Sequence, residues 1–446
     1  MFRLSSISVL FAALSLASVP GHAQISFTSA INLALRNDPK VKAAEANVEK
    51  ARAQLAATHD AFIPSASASG GYGTSTGVPL GVPVVFSLSS QSLLFSFSQK
   101  DNQRAATSGL AAATLALQES REQVAEDVAL TYLNLNNTQQ RQAAMTQEYG
   151  FAKRLVTIVQ DRLDAGRDTE IELLHARRTA AQIHLQQLQI DDDAAILSSH
   201  LARLIGLPGN SLNTVPGSIP ALLPVTELAT DAPDSYGIQS LVASAKAKQE
   251  TAFGDARYRF RPQVSFGATY SRISTSHTNY IDYYPGFKEK SESAASIGLE
   301  ITLPLFDRSH QDRAHESAAE AARARYDAED QRNQFLDGRF KIQHSANELA
   351  ARIELASIDR DLAQQQLETV LLQLSTASGS SAGQLMTPKD EQNARLQERA
   401  RTIELLEAQF QLNQAEVNLM RQNGTLDSWL KSAAATEGAT AVPSIP

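Results

Sequence analysis

Hydrophobic residues recur along this chain with two different periods. The first is a heptad-like spacing: Val41, Ala44, Val48, Ala51 and Leu55 form one such run. Ile171, Leu174, Ala181, Leu185 and Leu188 form a second, interrupted by Arg178, and Ile403, Leu406, Phe410, Val417 and Met420 a third, interrupted by Asn413. This spacing predicts helices that bury one seam against a neighbouring helix in a left-handed coil. The second period is two. Ala295, Ile297, Leu299, Ile301 and Leu303 alternate with Ser296, Gly298, Glu300 and Thr302, and Val264, Phe266, Ala268 and Tyr270 alternate with Ser265, Gly267 and Thr269. Weaker strand signals run from Pro64 to Thr76 and from Val84 to Ser98. Alternation predicts strands with one apolar and one polar face.

Proline punctuates the pattern. None lies between Gln99 and Leu207 or between Leu305 and Thr387. A proline inside a helix costs about 3 kcal/mol, so these gaps are where long helices fit. Gln99 to Asp164 reads as one helix of about 100 Å at 1.5 Å per residue, long enough to bridge a distance rather than fill a core. Pro208, Pro216, Pro220, Pro224 and Pro233 crowd a linker over residues 206–234.

The stretches on either side of that linker resemble each other. A helical run reaches Phe62-Ile63-Pro64-Ser65 in the first and Phe260-Arg261-Pro262-Gln263 in the second. Each then shows a second strand, a long helix, a glycine-containing turn (Gly166, Gly379) and a further helix. The expected organisation is a first repeat over 24–205, with strands at about 62–76 and 84–98. A second repeat follows over 235–423, with strands at about 262–275 and 293–305, and then a tail over 424–446. A unit this long is a duplicated domain, not a solenoid repeat.

At the start of the chain, Met1-Phe2-Arg3, an apolar run over Val9 to Val19 and the small residue in Gly21-His22-Ala23 read as a secretory signal over residues 1–23, cleaved after Ala23. No later stretch is long and apolar enough to span a bilayer as a helix. If the four strands sit in lipid, every backbone N–H and C=O must be paired, which forbids an open sheet. Four strands cannot close a membrane barrel, since the smallest use about eight. The wall must then be completed by copies of the same chain. The soluble alternative is a small sheet grafted onto a helical bundle.

Chemistry narrows the reading further. The absence of cysteine removes thiol catalysis, thiolate zinc sites, disulfides and a lipidated N-terminal cysteine. A net charge of −8 with no basic block argues against a nucleic-acid partner. His310 and His315 are spaced five apart and His175 and His184 nine apart, neither the spacing that puts two metal ligands on one helical face. Asp191-Asp192-Asp193 is most simply a solvated charge run. No catalytic constellation and no phosphate-binding loop stands out, so neither an enzyme nor a cofactor is expected.

Several segments together resemble the TolC-like outer-membrane efflux protein family. They are Asp38-Pro39-Lys40-Val41 opening an Ala-rich helix, the helix-to-strand step at Phe62-Ile63-Pro64-Ser65, and Leu303-Pro304-Leu305-Phe306-Asp307. Arg162-Leu163-Asp164-Ala165-Gly166 with Glu172-Leu173-Leu174 and Leu201-Ala202-Arg203-Leu204-Ile205-Gly206 extend the likeness over nearly the whole mature chain. The first-repeat counterpart Leu94-Phe95-Ser96-Phe97-Ser98 lacks the proline.

The resemblance implies a mainly α fold with β: a long coiled-coil-like helical barrel and four membrane strands per chain, closing a twelve-stranded β-barrel as a trimer. It implies an exit duct of a tripartite efflux or type I secretion system, passive and pump-driven. Its partners would be two further copies of itself, outer-membrane lipid, a periplasmic adaptor protein and an inner-membrane pump. It puts Asp164, Asp168, Glu172 and Gln384 at a periplasmic pore aperture, and the tips around Gly166, Arg167, Gly379 and Ser380 at the adaptor. The tip at Ser378–Thr387 departs from the family in carrying no carboxylate before Asp390. For Asp164, Asp168 and Glu172 a solvated helix end, favoured by the helix dipole, is the other reading. Tyr270, Tyr280, Tyr283 and Tyr284 fit an interfacial aromatic belt or an outer loop equally well. An exported coiled-coil structural or adaptor protein of the periplasm is the alternative for the whole chain.

Overall fold

The computed structural model describes residues 23–71, 84–207, 212–222, 234–258, 260–273, 293–376 and 386–440. Residues 1–22 of the expected signal segment over 1–23, and Tyr280, Tyr283, Tyr284, Gly379, Ser380 and Gln384, lie outside the described residues, while Ala23 opens β1.

Eight helices and six strands are described. The helices are α1 (Phe27–Asn37), α2 (Pro39–Asp60), α3 (Phe97–Asp164), α4 (Glu170–Leu204), α5 (Tyr236–Ala256), α6 (Arg308–Thr376), α7 (Pro388–Gln422) and α8 (Leu426–Thr440). The strands are β1 (Ala23–Ile25), β2 (Ser65–Gly70), β3 (Val84–Phe95), β4 (Leu212–Thr214), β5 (Gln263–Ile273) and β6 (Ser293–Thr302).

The proline-free stretches are single helices of 68 and 69 residues, α3 and α6. Helix α3 starts two residues before Gln99 because Ser96 ends the strand. Its hydroxyl accepts from the Gln99 amide at 3.3 Å and satisfies an otherwise orphaned donor. Phe97 and Ser98, predicted as strand, are therefore the first turn of the helix. Asp307 caps α6 in the same way, accepting from the His310 amide at 3.0 Å.

Helices α2, α3, α5 and α6 lie side by side, with α4 against α3 and α7 against both α3 and α6. Val41, Ala44, Val48 and Ala51 are buried as the heptad pattern predicts. On α4 the buried stripe is instead Leu173, Ala176, Ile183 and Ile190, while Ile171, Leu174, Leu185 and Leu188 face outward. The predicted seam of α4 therefore finds no partner within one chain.

The main core sits where the N- and C-terminal elements meet. Phe27 is 0% exposed and meets Tyr132 edge-on at 5.4 Å and Trp429 at 5.5 Å. Strand β1 pairs in parallel with β4 of the expected linker, through Ala23↔Leu212, Gln24↔Asn213 and Ile25↔Thr214. The Tyr132 hydroxyl donates to the Ile25 carbonyl at 2.8 Å and accepts from the Val215 amide at 2.8 Å. The linker and the tail thus contain ordered elements that contribute to this core.

The four long strands form one antiparallel sheet in the order β2-β3-β5-β6. Its register gathers most apolar side chains on one face, because directly opposed residues share a face, although Ser90, Ser92 and Arg272 lie on that face too. Ile297 and Ala268 share a face with Leu299 opposite Phe266 and Ile301 opposite Val264. The other face carries hydroxyls: Ser67 to Ser89 at 2.7 Å, Ser69 to Ser87 at 2.8 Å and Thr269 to Ser296 at 2.6 Å. Among the described residues no helix covers the apolar face, and Ile297, Leu299 and Ile301 are 76%, 68% and 70% exposed.

Candidate functional site

The tip of the first helical hairpin is built by backbone geometry before any side chain acts. Helix α3 ends with Gly166 at φ 69°, a left-handed conformation that a Cβ would disfavour. The Gly166 amide donates to the Leu163 carbonyl at 2.8 Å and the Arg167 amide to the Arg162 carbonyl at 2.8 Å, closing the last turn. Two residues later α4 opens on a reciprocal cap: the Thr169 hydroxyl accepts from the Glu172 amide at 3.3 Å and the Glu172 carboxylate from the Thr169 amide at 3.2 Å. The start of α7 uses the same device, with the Thr387 amide donating to the Asp390 carboxylate at 2.8 Å.

These caps bring the N-termini of α4 and α7 together, and a charged cluster joins them. Arg162 grips Asp168 with two hydrogen bonds of 2.9 Å, the fork geometry that gives the strongest carboxylate contacts. Lys389 of α7 reaches Glu172 at 3.1 Å and Asp168 at 3.7 Å. Only 4% of the Asp168 side chain is exposed. The Arg162 hydrogen bond, supported by Lys389, holds the Asp168 carboxyl below the usual carboxylate range. Because its folded pKa is depressed, this contact is present above the ordinary Asp range and is lost as pH falls through the folded value.

Of the carboxylates singled out in the sequence, Asp168 and Glu172 share this cluster. Asp164 is exposed one turn away and accepts from Gln160 at 3.0 Å. Gly166 forms the turn and Arg167 is exposed beside it. Sequence reasoning missed the two cations, Arg162 and Lys389. The signal that could have found them is the repeated Thr-x-x-acid box at Thr169 and Thr387, which marks two helix starts as equivalent. Two of three carboxylates are thus paired within the chain, and Asp164 forms no ion pair among the described residues.

Above the tip, the sheet supplies the other half of the site, an apolar outer face backed by hydroxyls with β2 and β6 as bare edges. Among the described residues no helix is long and apolar enough to cross a membrane, and no group of three or more His, Cys, Asp or Glu could hold a metal.

Residues 30–207 match the family described as outer membrane efflux protein. The match covers the expected first repeat and stops at the linker. Solved structures share the fold of this chain at low identity. The CmeC outer membrane channel of Campylobacter jejuni superposes with a TM-score of 0.70 at 17% identity, over 92% of this chain and 89% of that one. VceC of Vibrio cholerae gives 0.68 at 19%, over 89% and 96%. The open state of the MtrE outer membrane channel of Neisseria gonorrhoeae gives 0.67 at 16%, over 90% and 89%. No curated protein matches the sequence.

Proposed function

We propose that three copies of this chain close a twelve-stranded barrel in the outer membrane and continue it as a helical duct into the periplasm. The single observation that carries this is the open four-stranded sheet, apolar on one face, hydroxyl-lined on the other and unpaired at both edges. Lipid tolerates the apolar face but not the bare edges. Curling the sheet with two more copies pairs every edge and turns the hydroxyl face toward a water-filled lumen. Conduction is passive, and an inner-membrane pump supplies the energy through a periplasmic adaptor, in a tripartite efflux or type I secretion system. Export begins with cleavage after Ala23, which leaves Gln24 and Ile25 to pair with Asn213 and Thr214. The test is reconstitution in planar bilayers with the mass measured in detergent. A particle of three chains with stepwise ohmic conductance is expected. A water-soluble monomer that leaves the bilayer silent would point to the alternative, a coiled-coil periplasmic protein.

At the periplasmic end the tips around Gly166, Arg167, Gly379 and Ser380 meet the adaptor, and Asp164, Asp168, Glu172 and Gln384 ring the aperture. Threefold repetition multiplies whatever charge each tip leaves unpaired. Lys389 is the local counter-charge to Asp168 and Glu172. Lys389→Ala is therefore expected to increase cation selectivity in single-channel recordings, and Glu172→Ala to lower it. Identical selectivity in wild type and both variants would remove these residues from the aperture.

A further inference from the structure

The structure repeats itself nearly residue for residue. Shifting β2 by 198 (263 − 65) and β3 by 211 (302 − 91) carries the pair Ser65↔Gln91 onto Gln263↔Thr302, and Gly70↔Phe86 onto Ala268↔Ile297. The 211 shift also carries α3 onto α6, and a shift of 218 (388 − 170) carries α4 onto α7, both 35 residues long. The two repeats are not equally covered, however. Within the chain, α3 is flanked by α5 and α7, whereas one flank of α6 has no counterpart of either.

The covered flank shows what the bare one lacks. Arg421 of α7 is clamped between Glu119 of α3, at 2.6 Å, and Glu126 of α3. Shifted, Glu119 becomes Asp330, Glu126 becomes Asp337 and Arg421 becomes Arg203. The chemistry survives the shift: two carboxylates seven apart on one helix and one guanidinium on another. Yet in the chain these three are apart. Asp330 and Asp337 are exposed with no ion pair among the described residues, and Arg203 is exposed with only the Ser199 hydroxyl, at 2.9 Å. Apolar positions behave the same way. Ala144, buried on α3, becomes Leu355, which is 61% exposed. Leu406, whose carbonyl accepts from Asn137 of α3 at 2.6 Å, becomes the exposed Leu188.

We infer that a second copy of the chain docks its α4 along this flank of α6, placing its Arg203 between Asp330 and Asp337 and its Leu188 beside Glu348, the counterpart of Asn137. The same equivalence fixes the sheet seam. In the chain Gln91 of β3 faces Gly267 of β5, so Thr302 of β6 faces Ser69 of the neighbouring copy's β2. The inference rests on the ring closure proposed above and adds to it a register and an ion cluster.

Charge exchange and a cysteine pair test it in the full-length protein. Arg203→Glu alone, and Asp330→Arg with Asp337→Arg, should each lose detergent-resistant trimer on warming, and the three together should regain it. The chain has no cysteine, so an introduced pair reports one contact. Ser69→Cys with Thr302→Cys should give reductant-sensitive linked chains. Ser67→Cys with Thr302→Cys, slipped by two residues to a Cα separation of about 8 Å, should not. Losses that add without recovery, or linkage in the slipped pair alone, overturn the register. If the wild type is then still a trimer by native mass, ring closure stands. If the wild type is a monomer, both fall.

Discussion

Phe27→Ala is expected to cost about 3–5 kcal/mol of stability, the usual range for removing a fully buried phenylalanine. Its ring has no exposure and fills the space between the edges of Tyr132 and Trp429. Truncation leaves a cavity at the one place where α1, α3 and α8 all meet, and removes two aromatic contacts beyond the area lost. Helix α8 is held there by Trp429, whose indole N–H donates to the Ala221 carbonyl at 3.1 Å. Phe27→Ala combined with Trp429→Ala should therefore cost less than the two changes added, because both remove the same contact. Urea unfolding followed by circular dichroism measures this. A loss under about 1 kcal/mol for Phe27→Ala would mean that this core does not hold the two ends of the chain.

The second large effect is a pH dependence opposite in sign to that of a paired carboxylate. Glu148, in the second half of α3 and buried, has its pKa pushed up to about 7 by burial. Glu122 is also raised to about 7, by burial first and then by Glu119. A carboxyl whose folded pKa is raised binds its proton more tightly in the native state than in the unfolded chain. Its favourable contribution is full below the ordinary Glu range and declines as pH rises from there to about 7. The protein should accordingly lose stability between about pH 5 and pH 8 from these two residues. Glu148→Gln removes the charge that must be desolvated. It should stabilise the protein at about pH 8 by about 1–3 kcal/mol, because each tenfold change in proton affinity is worth roughly 1.4 kcal/mol. Little change is expected at about pH 5, where Glu148 is already protonated. Melting temperatures of wild type and Glu148→Gln across that range should converge at the acid end. Parallel curves would show that Glu148 titrates normally.

The channel reading joins these two observations to the fold. The aromatic core locks the chain ends beside the middle of α3, and the long helices carry the sheet at one end and the tips at the other. At the first tip Asp168 and Glu172 share Arg162 and Lys389, while Asp164 forms no ion pair among the described residues. Substitutions at Lys389 therefore act on this tip, far along the helices from the aromatic core.

Much of this architecture was legible in the order of residues. Proline spacing located α3 and α6, since a proline within either would break its hydrogen bonding. Alternation located β5 and β6, and weaker signals β2 and β3, because a strand with one apolar and one polar side must alternate. Gly166 marked the turn, since only a residue without Cβ takes that backbone conformation freely. Three things were decided only by tertiary structure. Pairing of β1 with β4 joins residues nearly two hundred apart, and three-residue strands carry no period to read. The tail folds as α8 because Trp429 finds Phe27, a contact between the two ends of the chain. Lys389 lies beside Asp168 because two capped helix starts from different repeats come together. Periodicity reports which face of an element seeks burial, and it located the apolar seam on α4. Which partner covers that seam depends on packing at long range, and in this protein Ile171, Leu174, Leu185 and Leu188 find none within a single chain.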